Sequence, residues 1–170
     1  TATITIPASQ ATGTYFLFLF TDSLGNLTEE NENNNVASPI QITVTLRRPD
    51  LAPTAFSATT STTVDSGQTI DLAWTVKNQS GSVGLAVQPW TDRVFLSTDA
   101  IFGGDSGLLQ VTHTTDLAPG ASYNQTGTIT IPSVQATGTY FLLLQTDSLG
   151  NLTEESESNN LGVPIQITVQ

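Results

Sequence analysis

Apolar and polar residues alternate along most of this chain with a period of two, the period of a strand that buries one face. In residues 70–77, Ile70, Leu72, Trp74 and Val76 fall on one side, and Asp71, Thr75 and Lys77 on the other. Val94 and Leu96 repeat the pattern, as do Ile129 with Ile131, and Ile165 with Ile167 and Val169. Turn-forming clusters separate these runs: Asp65-Ser66-Gly67, Ser80-Gly81-Ser82, Gly103-Gly104-Asp105, Pro119-Gly120 and Ser148-Leu149-Gly150-Asn151. No stretch combines a 3.6-residue apolar period with helix caps.

The pattern is also written twice. Sliding residues 1–45 onto residues 126–170 matches 34 of 45 positions. Thr3-Ile4-Thr5-Ile6-Pro7 falls on Thr128-Ile129-Thr130-Ile131-Pro132, and Gly13-Thr14-Tyr15-Phe16 on Gly138-Thr139-Tyr140-Phe141. Residues 1–46 therefore read as the last three or so strands of an incomplete upstream repeat, residues 47–50 as a joint, and residues 51–170 as one complete repeat. About seven short strands within that complete repeat predict an all-β, immunoglobulin-like antiparallel sandwich, in tandem. A start in mid-repeat, without an initiator methionine, implies a segment of a longer array.

Gly138-Thr139-Tyr140 opens the most hydrophobic run, where sandwiches of this type place a tyrosine whose hydroxyl ties back to a nearby loop. The face opposite that tyrosine differs between the copies. It carries Phe141, Leu143 and Gln145 in the complete repeat, but Phe16, Phe18 and Phe20 in the first. Three phenylalanines on an outer face are either covered by a loop or form an interface with a neighbouring repeat or an identical chain.

Charge narrows the partners. Four basic residues against fifteen acidic ones give a net charge of −11, the wrong sign for nucleic acid or an anionic membrane surface. Cysteine is absent, which removes disulfides, thiol nucleophiles and zinc–thiolate sites. No apolar run is long enough to insert in a bilayer.

Catalytic chemistry finds little footing. The one histidine, His113, lies in a strand-like run without a cysteine or a G-x-S-x-G serine beside it, and reads as a solvated or edge-strand residue. No enzyme activity is expected. Calcium is the cofactor to weigh, because it takes six to eight oxygen ligands from carboxylates, amides and carbonyls in a flexible loop. Asp147, Asn151, Glu155, Glu157 and Asn159 offer such oxygens, as do Asp22, Asn26, Glu30, Glu32 and Asn34 in the first copy. If the segment is extended, Glu155, Glu157 and Asn159 project on one side. No D-x-[DN]-x-[DN]-G loop is present, and Asp and Asn also serve turns through hydrogen bonds to the backbone. The structural corner carries more weight than the ion. Trp90 has two readings as well: an exposed anchor for a sugar or protein ligand, or a plug closing one end of the core, the second being favoured.

In order along the chain, Pro49-Asp50-Leu51, Trp74-Thr75-Val76-Lys77-Asn78-Gln79, Trp90 through Asp99, Leu117 through Tyr123, and Gly138-Thr139-Tyr140 through Asn160 resemble the CARDB domain, the cell adhesion related domain found in bacteria. Ser80 and Ser156 depart from it, standing where the family more often has Gly and Asn. The resemblance implies a non-catalytic sandwich repeated in large extracellular or cell-surface prokaryotic proteins. The expected role is a structural or adhesive module. The apolar faces of residues 1–46, which upstream residues or another molecule must complete, open assembly into a surface filament by strand exchange, and the exposed reading of Trp90 gives the alternative of a carbohydrate-binding module. Partners would be neighbouring repeats or identical chains, or a surface glycan or protein ligand.

Overall fold

The computed structural model describes residues 2–7, 10–79 and 84–170, so the turn expected at Ser80-Gly81-Ser82 lies outside the described residues. The chain divides into two compact units, Thr1–Leu46 and Arg47–Gln170.

The first unit is a two-stranded antiparallel sheet of β1 (Gly13–Leu17) and β2 (Ile40–Val44), with Tyr15 opposite Ile42. A bridge between Phe20 and Val36 extends the pairing beyond the strands.

The described residues of the second unit form eight strands: β3 (Leu51–Ala58), β4 (Thr63–Val64), β5 (Thr69–Asn78), β6 (Trp90–Ser97), β7 (Ser106–His113), β8 (Ser122–Thr130), β9 (Gly138–Gln145) and β10 (Ile165–Val169). They form a three-stranded sheet in the order β3-β5-β8 and a five-stranded sheet in the order β4-β10-β9-β6-β7. All pairings are antiparallel except the short parallel contact of β4 with β10, by which the chain crosses from one sheet to the other between β3 and β4.

Alternation along each strand closes the sandwich. Ile70, Leu72, Trp74 and Val76 of β5 are buried and meet Val94 and Leu96 of β6, Tyr140, Leu142 and Leu144 of β9, and Ile167 and Val169 of β10. Each such aliphatic side chain removed from water stabilises the fold by roughly 1.5–3 kcal/mol. The tyrosine expected at the corner is there in both copies: Tyr140 donates to the Ala136 carbonyl and Tyr15 to that of Ala11, each at 3.0 Å.

Candidate functional site

Strand β6 places Trp90, Asp92, Val94 and Leu96 on its inner side, so a carboxylate enters the core among apolar neighbours. Asp92 is 1% exposed, and four separate segments supply its partners. Trp74 of β5 donates its indole N–H to Oδ2 at 2.7 Å, and Thr146, just past β9, donates its hydroxyl to Oδ1 at 2.7 Å. The Tyr123 hydroxyl of β8 sits 3.0 Å from Oδ1 and 2.9 Å from Oδ2, and His113 Nε2 of β7 lies 3.0 Å from Oδ2. The Trp90 indole donates in turn to Tyr123 at 3.2 Å and stacks on His113 with ring centroids 5.4 Å apart. Burial first, and the Asp92 charge second, push the Tyr123 hydroxyl far above its ordinary pKa, so it remains a donor.

This cluster ties β5 and β8 of one sheet to β6 and β7 of the other. Hydrogen bonds to a charged group contribute about 1.5–3 kcal/mol each, and a buried carboxylate without them would be strongly disfavoured. Sequence reasoning missed Asp92, Tyr123 and Thr146. The signal was an acid on the inward parity of β6, in step with Trp90 and Val94. His113 does lie on an edge strand, as expected. It is not solvated: its side chain is 13% exposed and faces Asp92. Trp90 is 1% exposed, so it closes the core and offers no platform to a sugar.

The acidic motif forms the corner between β9 and β10. Asp147 has a positive φ of 39°, which Asp tolerates better than most residues, and its carboxylate accepts the amides of Asn151 at 3.0 Å and Leu152 at 3.0 Å. Glu157 accepts the Glu154 amide at 2.9 Å. The first copy repeats all three bonds: Asp22, with φ 41°, accepts from Asn26 at 2.8 Å and Leu27 at 3.0 Å, and Glu32 from Glu29 at 2.9 Å. Burial outweighs these two amides and raises the Asp147 carboxyl above its ordinary pKa.

The segment between β9 and β10 is turns and bends, not an extended strand, so alternation does not align Glu155, Glu157 and Asn159. Glu155 and Glu157 are exposed, as are Asn151, Asn26, Glu30 and Asn34. Among the described residues, no three His, Asp or Glu side chains are grouped in a way that could hold a metal ion.

The motif instead grips the start of β3. Glu154, 2% exposed, accepts the Leu51 amide at 3.3 Å through Oε1, Glu155 donates its amide to the Pro49 carbonyl at 2.8 Å, and Asn159 donates its side-chain amide to Asp50 at 2.8 Å. Glu154 Oε2, Asn159 Oδ1 and Asn160 Oδ1 are buried without a protein partner. Burial pushes the Glu154 carboxyl up to about 8, against the partial relief of the Asn160 side chain and the Leu51 amide. Phe16, Phe18 and Phe20, expected to be covered by a loop or to form an interface, stand in the first unit at 53%, 57% and 56% exposure.

Two sheets closed over one apolar core, with a tyrosine corner and a parallel edge contact, define an immunoglobulin-like β-sandwich. The CARDB family model matches residues 48–162, and the chain belongs to the CARDB family, a non-catalytic, adhesion-related group. A CARDB domain from Pyrococcus furiosus, solved in complex with di-metal ions, is similar at 20% identity and a TM-score of 0.52, over 74% of this chain and 97% of that one. A domain of a putative cell surface protein from Methanosarcina acetivorans is similar at 19% identity and a TM-score of 0.48, over 72% and 93%. β-Glucosidase 3B from Thermotoga neapolitana matches over only 16% of its length, at 13% identity, 72% of this chain and a TM-score of 0.48. No curated protein matches the chain. No helix among the described residues is long and apolar enough to cross a membrane.

Proposed function

We propose that the chain is a structural and adhesive repeat of a large extracellular or cell-surface prokaryotic protein, working beside neighbouring repeats or identical chains. One observation carries the reading: equivalent residues have opposite environments in the two copies. Ile4 is 62% exposed where Ile129 is 1%, and Leu19 is 64% exposed where Leu144 is 0%. Ile4, Ile6, Leu17, Ile42 and Val44 line an open apolar groove of about 360 Å³ in the first unit. Such a face is costly to leave in water. The first unit is the C-terminal part of a repeat that other polypeptide completes, and completion by an identical chain would build a filament through strand exchange.

Light scattering across a concentration series tests this. Self-association that Leu17→Thr with Ile42→Thr, both in the groove, weakens is the expected result. A chain that stays monomeric throughout, with first-unit amides as protected from hydrogen exchange as those of the second, would sink the exchange reading.

Calcium at the acidic motif has its own check, prompted by the metal-bound relative. With Asp147 and Asp22 committed to backbone amides, saturating calcium should move the melting temperature of the chelator-treated protein by less than about 1 °C. A larger shift would reinstate the ion, since a ligand at a hundred times its Kd stabilises by about 2.7 kcal/mol.

A further inference from the structure

We infer that the free edge of β8 docks the same strand of a second copy of this chain, the two paired antiparallel about a two-fold axis through Thr126. The inference uses no feature of the first unit. It rests on the reading of the chain as one that works beside identical chains, and adds which strand meets which.

Among the described residues of the second unit, β3 and β8 are the edges of one sheet, and β4 and β7 those of the other. An edge strand offers unpaired N–H and C=O groups to any extended chain, and proteins blunt such edges with proline, bulges, charge or shortness. Three of the four are blunted. β3 carries Pro53 with a register shift beside it, β4 is two residues long, and β7 has a register shift opposite Val94 and Phe95. β8 runs nine residues in unbroken register with β5, and holds neither proline nor a charged residue.

Parity decides which groups face outward. The Asn78 amide donates to the Ala121 carbonyl, toward β8. The Asp71 carbonyl accepts from the Thr59 amide, and the Asp71 amide donates to the Thr60 hydroxyl, both on the β3 side. Alternation along β5 then turns Ile70, Leu72, Trp74 and Val76 toward β8, where they meet Ile129, Gly127, Gln125 and Tyr123. The backbone groups of Asn124, Thr126 and Thr128 point the other way, off the sheet, and their side chains are exposed. Among the described residues, one hydrogen bond reaches these outward groups, from the Gln125 side-chain amide to the Thr126 carbonyl at 2.8 Å.

The edge is complementary to itself. With Thr126 on the axis, Asn124 stands opposite the partner's Thr128, and Ser122 opposite the partner's Thr130, so these facing pairs are polar and uncharged. In a chain of net charge −11, such an edge lets two copies approach without setting like charges face to face. β5 orders two of these side chains in advance. The Thr75 hydroxyl donates to Asn124 Oδ1 at 2.7 Å, and the Thr128 hydroxyl donates to Asp71 Oδ1 at 2.6 Å. The Asn124 side-chain N–H groups and the Thr128 oxygen are thereby turned to each other across the seam, donor to acceptor, twice by symmetry.

The test places a single cysteine in a chain that has none. Residues in a hydrogen-bonded antiparallel pair have Cα atoms about 5.5 Å apart, within reach of a disulfide. Under mild oxidation, the 170-residue chain with Thr126→Cys should form linked dimers about ten-fold or more faster than with Ser57→Cys, an exposed residue of the blunted β3. Equal rates would overturn the inference. A charge pair supplies the second arm, in chains that also carry Leu17→Thr and Ile42→Thr to silence the first-unit groove. There Thr126→Lys and Thr126→Glu, each folded by thermal melting, should stay monomeric alone and associate when mixed; a mixture no more associated than its parts would also overturn the inference. Equal cysteine rates in a chain whose self-association the two groove replacements abolish would remove the β8 edge and leave strand exchange standing. Absence of self-association in every variant would end both.

Discussion

Asp92 shows how one side chain can hold a sandwich together. Its two oxygens take contacts from Trp74, His113, Tyr123 and Thr146, and each partner would lose a buried acceptor if the carboxylate went. Asp92→Ala should cost about 3–5 kcal/mol in denaturant unfolding, with Asp92→Asn costing less; a loss below about 1 kcal/mol would show that the cluster contributes little. Glu154 makes a different statement. Its folded carboxyl sits at about 8 against an ordinary 4.5, with Asp147 and Glu157 adding repulsion to the dominant effect of burial. A raised carboxyl holds its proton longer in the folded than in the unfolded state. Its contribution to stability is therefore complete below about pH 4.5 and is lost as pH rises through about 8. The melting temperature of the second unit should fall by several degrees between these limits, and Glu154→Gln should flatten the fall. An unchanged slope in that variant would assign the pH dependence elsewhere. None of this was legible beforehand, because the burial of Glu154 depends on a strand that begins 103 residues earlier in the chain.

Strands were legible where one face alone was apolar. The inward sets of β5, β9 and β10 follow from parity and are buried, except that Ile165 is half-buried; Leu143, on the opposite face of β9, is buried as well. Parity failed at the corner between β9 and β10, since the chain there turns instead of extending, and alternation has no meaning in a turn. It was blind, too, to close packing between strands. At Gly127 of β8 a Cβ would lie 2.5 Å from Leu109 Cδ2 and 3.3 Å from the Trp74 ring. Gly127→Ala should therefore destabilise by about 1–3 kcal/mol through overpacking, read by thermal melting; a neutral result would mean that Leu109 moves aside freely. The equivalent position in the first copy is Ala2, which is exposed.

At the scale of the whole molecule, repetition was legible to the residue, but its consequence was not. Thirty-four of 45 matched positions say that the two copies fold alike; they do not say that the same isoleucine will be bare in one and sealed in the other. Burial is a property of what surrounds a strand, and the surroundings come from residues 51–125, which only one copy has within this chain. The Asp92 cluster joins the two sheets without a covalent bond. A covalent bridge between sheets needs an oxidant to form, and a chain without cysteine has no such bridge. A carboxylate clamp closes by itself whenever β5, β6, β7 and β8 come together. Joining the two sheets through Asp92 therefore needs no change of redox state.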